Sequence, residues 1–198
     1  MTELPREVAG VTIACQPDRA GNRLVFAYFL TNASSELVYV MDATPKFDPA
    51  TNTWSADRES VVVWLGVDDI ARVMRGIAPP PADADVWSRV IPLAVPLRPG
   101  ETLERRLEIP LPLGETSPYF PDLPLRQYQQ QDIIGVSLIV EFLPTSVEGF
   151  SAVPVDYATD LYQVRGYNTP EQVQRVGQTF PVRQLSILKR PDNFPRPD

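Results

Sequence analysis

Proline punctuates this chain. Twenty-two of its 198 residues are proline, about twice the usual share. Proline breaks helix interiors and is excluded from central strand positions. Here the prolines fall mostly between apolar runs, where they act as stops between strands. The architecture left open is a β protein with many short elements.

The runs read accordingly. Residues 23–31 are apolar on both alternating faces, which predicts a central strand covered on two sides. Residues 37–41 are its expected hairpin partner. Residues 47–54 hold the turn signal Asp48-Pro49-Ala50-Thr51-Asn52 between short strands. Residues 60–65 are rich in β-branched residues. Residues 89–95 and 102–109 are joined by Pro99-Gly100-Glu101, a tight-turn sequence. The second of these puts Glu104, Arg106 and Glu108 on a wet face, with Arg105 the exception on the dry one. Ile134, Val136, Leu138, Val140 and Phe142 alternate with smaller or polar residues in a half-buried strand. Residues 182–188 close the set, with Leu185 and Ile187 inward, and residues 11–15 form a first strand. The expected core places Phe26 and Tyr28 opposite Leu138 and Val140.

Two short helices are expected. Thr169, Pro170 and Gln172 make a helix start that Gly177 would stop. Asp68 and Asp69 give residues 68–74 an acidic start suited to the helix dipole.

About eight strands with turn signals between them argue for a sandwich. The segment 23–41, followed by Pro99-Gly100-Glu101, resembles bacterial immunoglobulin-like domains. Leu30-Thr31-Asn32 with the same turn is similar to the intracellular proteinase-inhibitor type. The Cys…Trp…Cys spacing of antibody domains is absent. The expected fold is therefore all-β: an immunoglobulin-like antiparallel β-sandwich with long proline-rich loops and one or two short helices. One domain is expected over 1–198, with long loops at 76–88 and 112–132 and an exposed tail at 190–198.

Catalytic chemistry is narrowed by what the chain lacks. There is no histidine and a single cysteine, Cys15. No Ser-His-Asp or Cys-His arrangement can form, and no histidine or thiolate-cluster zinc site. No cofactor, no metal and no catalytic residue is expected. The formal charge of −7 repels phosphate backbones, so no nucleic-acid partner is expected. Residues 1–7 lack a signal-peptide pattern and no apolar run is long enough to span a bilayer, so a cytoplasmic, membrane-free protein is the expectation. Asp83 and Asp85 lack the glycine and distal glutamate of a calcium loop and read as a solvated acidic segment.

The candidate surface is aromatic. Tyr119, Phe120, Tyr128, Tyr157, Tyr162 and Tyr167 lie outside the strong strands, with Arg126 and Arg165 beside them. Tyrosine and arginine are enriched at interface hot spots. The expected function is a non-enzymatic protein-interaction module whose partner is another protein. The alternatives are a carbohydrate- or small-ligand-binding sandwich using Trp54, Trp64 or Trp87, and, with least support, a carboxylate-dependent hydrolase. A concave pocket lined by a tryptophan and acidic groups is the mark of the first alternative. The competing reading of the aromatic segment is that its rings fold back as packing anchors.

Overall fold

The computed structural model describes residues 4–80, 89–165, 172–191 and 194–196. Among them the chain is all-β, with strand segments in two sheets and one 3-10 turn at Leu125–Gln127. The smaller sheet has the order β1 (Glu7–Val8), β2 (Val11–Ala20), β3 (Arg23–Asn32), β9 (Thr102–Pro110) and is antiparallel throughout. The larger sheet centres on β11 (Gln129–Pro144), which pairs along its length with β14 (Gln174–Lys189). The other edge of β11 is shared by two strands. β7 (Ile70–Arg75) docks parallel on residues 135–140, and β4 (Val38–Asp48) docks antiparallel on residues 142–144. Beyond β4 lie β8 (Leu93–Leu97), β13 (Tyr162–Arg165) and β12 (Ser151–Pro154). β6 (Val62–Leu65) covers β7, β10 (Leu113–Gly114) lies parallel on β14, and β5 (Thr53–Asp57) forms a hairpin with the end of β4.

One core fills the space between the sheets. Phe26 and Tyr28 of β3 and Leu138 and Val140 of β11 are all buried within it, as the alternating pattern requires. Leu185 and Ile187 are buried too. The outer face of β3 is covered only in part: Val25 is buried, but Ala27 is exposed and Phe29 is 43% exposed, so the strand is central without being covered on both sides along its length. Conversely β11 is buried on both faces from Val136 onward, because β7 and β6 bring Trp64, Met74 and Val62 over Ile139.

Several connections differ from the sequence expectation. β4 is not the hairpin partner of β3; it crosses to the other sheet, as β8 and β9 also lie in different sheets. The Pro-Gly-Glu turn therefore carries the chain between sheets, with Gly100 at φ 78. Its end meets β3: Asn32 N donates to Glu101 O at 3.0 Å and Gly100 N donates to Asn32 O at 2.7 Å. The larger sheet is mixed rather than purely antiparallel.

Neither expected helix forms among the described residues. Residues 70–75 are β7, with both faces buried, and burial outweighs a weak helical pattern. Asp68 and Arg72, four apart, do pair at 2.8 Å, but across a tight turn where Asp69 takes φ 56. That arginine holds the Asp68 carboxyl below its ordinary range. Residues 166–171 lie outside the described residues, and the expected stop, Gly177, sits inside β14. A Cβ there would meet Leu138 O at 2.8 Å, so this glycine serves close strand approach rather than helix termination. The expected exposed tail is also corrected: Arg190 and Phe194 are buried. No helix of the described residues is long and apolar enough to cross a membrane.

Candidate functional site

The aromatic segment chosen from sequence is folded onto the protein's own chain. Tyr119 and Phe120 pack against the cluster of Val62, Trp64, Met74 and Ile139. The Tyr119 hydroxyl accepts a bond from Val90 N at 3.0 Å. Arg190 enters from the end of β14. Its guanidinium lies 5.4–5.7 Å from the ring centres of Phe194, Phe120 and Tyr128. It donates to Pro121 O at 2.7 Å and to the Tyr128 hydroxyl at 3.4 Å. The cage is thus filled from within, by a cation whose charge and fork geometry suit aromatic faces. Arg126 stands on the 3-10 turn and is exposed.

Glu115 anchors the same region. It is fully buried, and each carboxylate oxygen accepts two bonds. Oε1 takes Leu65 N and Arg196 Nε, and Oε2 takes Arg190 N and Arg196 Nη2, all at 2.7–2.9 Å.

A second buried carboxylate ties the sheets together. Asp42 sits where β4 leaves β11 and bulges against β8. Its oxygens accept bonds from Arg105 Nε at 2.7 Å, Arg105 Nη2 at 3.0 Å and Arg75 Nη1 at 3.1 Å, with Arg58 also paired. Arg75 Nη1 further donates to Asp42 O at 2.7 Å, serving a carbonyl at the bulge. Arg105, the one cation on the dry face of β9, is inward because it reaches this acid in the opposite sheet. Arg75 Nε has no partner among the described residues, and the cavity beside it, about 20 Å³, has room for one water. Asp42 and Glu115 are thus both engaged by arginines within the fold. Burial pushes the Cys15 thiol up to about 12.

The open site lies elsewhere, between the β4–β5 hairpin and β13. The hairpin turn is set by Asp48, whose carboxylate accepts Ala50 N and the Thr51 hydroxyl, each at 2.9 Å, and by Asn52 at φ 53. Register then places Phe47 opposite Trp54 and Pro45 opposite Ala56, which gives the hairpin one apolar face. The Phe47 and Trp54 rings meet at 5.1 Å, and Tyr157 stacks on Trp54 at 6.2 Å with planes 27° apart. Phe47 nevertheless stays 44% exposed and Trp54 52%. Desolvation, then the neighbouring Asp156, raises the Tyr157 phenol above its ordinary value, so its hydroxyl remains a donor.

These rings wall a groove of about 900 Å³. Leu93 and Val164 form its buried floor, and exposed Arg89 and Arg165 stand on its rim. Neither arginine has an ion-pair partner among the described residues. Among the described residues no carboxylate lines the groove.

The structure brings together two expected residues, Tyr157 and Arg165, with two that the aromatic-segment reading left out: Phe47 and Arg89. Trp54, named for a sugar platform, belongs to the groove, whereas Trp64 is core and Trp87 lies outside the described residues. Tyr162 packs edge-on against Tyr39 at 5.5 Å, and Tyr167 lies outside the described residues. The available signal was the Asp48–Asn52 turn, which makes Phe47 and Trp54 cross-strand neighbours. Comparison with protein-family models, with curated proteins and with solved structures finds no match to this chain.

Proposed function

We propose that the chain is a non-enzymatic binding module and that the groove beside the β4–β5 hairpin receives a partner protein. The observation that carries this reading is the half-exposed Phe47–Trp54 pair, stacked on Tyr157 and rimmed by two exposed arginines. Large aromatic surface left open beside a polar fork is what interface hot spots are made of. The engagement of Asp42 and Glu115 in arginine bonds favours binding over hydrolysis. The concave shape and Trp54 give a second reading, a small-ligand or carbohydrate module, a specific footing in the same groove.

For the architecture, we propose an immunoglobulin-like sandwich. The contact of Asn32 with the Gly100-Glu101 turn supports it, because it joins the two sequence strings on which the resemblance rests.

The test is a pull-down from the source cells with the whole chain and with a Trp54→Ala/Tyr157→Ala variant. A specific captured protein that the variant loses, at an unchanged unfolding temperature, supports the reading. Equal capture by both chains removes the groove from the function.

A further inference from the structure

We infer that the groove's occupant is an acidic peptide segment carrying an aromatic or aliphatic side chain; this rests on the binding reading above. Charge gives the first argument. Arg89 and Arg165 face the opening with no carboxylate in the lining and no ion pair among the described residues. Elsewhere the chain pairs its inward arginines: Arg75 and Arg105 with Asp42, Arg196 with Glu115. A planar guanidinium fork exposed at the rim can bind a carboxylate from outside in bidentate fashion.

The lining gives the second argument. Besides the arginines, the polar side chains are Gln163, the Trp54 ring nitrogen and the Tyr157 hydroxyl; the rest is Pro45, Phe47 and aliphatic groups. A sugar would leave hydroxyls against this wall without partners, at the cost of burying them unbonded. An aromatic or aliphatic side chain matches the wall, and flanking Asp or Glu residues match the rim. The volume of about 900 Å³ holds several residues of an extended chain rather than one side chain.

The experiment is calorimetric titration of the intact chain with two pools of octapeptides. Each peptide has a central Tyr, Phe or Leu; one pool is flanked by Asp and Glu, the other by Lys and Arg. An oligogalacturonate serves as the third probe. The expected result is tighter binding of the acidic pool by about tenfold or more, weakening as salt rises from roughly 0.05 to 0.5 M. Arg89→Glu/Arg165→Glu should abolish that preference at unchanged unfolding temperature, with Arg89→Gln/Arg165→Gln intermediate. Equal binding of the two pools, or preference for the basic one, overturns the inference. Binding of the oligogalacturonate with both pools silent overturns the peptide class and leaves the groove. Loss of lysate capture by Trp54→Ala, with the arginine variants unaffected, sinks the acidic occupant but spares the binding reading. Indifference to Trp54 in every assay sinks both.

Discussion

Two clusters in this molecule are built from the same parts, aromatic rings and arginines, and they are finished differently. Around Phe120, Tyr128 and Phe194 the cation is Arg190, buried and bonded to Pro121 O and the Tyr128 hydroxyl. Around Phe47, Trp54 and Tyr157 the cations stand at the rim, exposed, and the rings keep open faces. The first cluster closes on itself because Glu115 holds the backbone of residue 190 and the side chain of Arg196. The second has no such acid among the described residues of its lining. Composition alone does not separate a packing anchor from a recognition surface; what separates them is whether the chain itself provides the countercharge.

The comparison breaks most readily at Glu115. Glu115→Ala leaves the partly buried Arg196 guanidinium and two backbone N–H groups without their acceptor, so a loss of about 2–4 kcal/mol is expected in urea unfolding. A loss below about 1 kcal/mol would mean that the cluster is not closed by this acid. Tyr128→Ala should cost less, about 1–2 kcal/mol, by removing one hydroxyl partner and one ring face from Arg190. In the open cluster Trp54→Ala should cost about 1 kcal/mol or less, because the ring is half exposed and makes only ring contacts. If Trp54→Ala proves as costly as Tyr128→Ala, the two clusters are both anchors and the contrast fails.

The finest probe is Glu141, which stands between the two cases: a buried acid whose arginine partner, Arg175, is half exposed. Burial raises this carboxyl above its ordinary value of 4.5, against the bond from Ile77 N and the charge of Arg175. The protonated form is therefore favoured in the folded state. Its stabilising contribution is present below the ordinary value and is lost as pH rises through the raised one. Glu141→Gln should remove that decline from the stability profile. A steeper decline in the variant would show that the Arg175 pair outweighs desolvation.

Much of this was legible before any coordinates. Alternation marked Leu185 and Ile187 as the inward pair of β14, because a half-buried strand writes its period into the residues. The Asp48–Asn52 turn announced its hairpin, and Arg105 stood out as the exception on a dry face, though nothing nearby named its acid. What escaped was non-local. Nothing near residues 68–74 says that β11, more than sixty positions away, will cover that segment as a strand. Nothing in the Tyr119–Tyr128 segment says that residue 190 will fill its cage. The groove escaped for the same reason: Phe47, Tyr157 and Arg165 become neighbours only when β4 and β13 flank β8.

The shared edge of β11 also sets the order in which the molecule can be completed as it is made. β4 and β7 precede β11 in the chain, and each keeps one edge unsatisfied until residues 129–144 have emerged. At ordinary translation rates that wait is roughly several seconds, and β14 comes later still. Unpaired edges rich in Val, Ile and Met are templates for pairing between chains. The vulnerable stage of this protein is therefore its synthesis, while the polypeptide is still tethered, rather than the finished state with its arginine clasps closed.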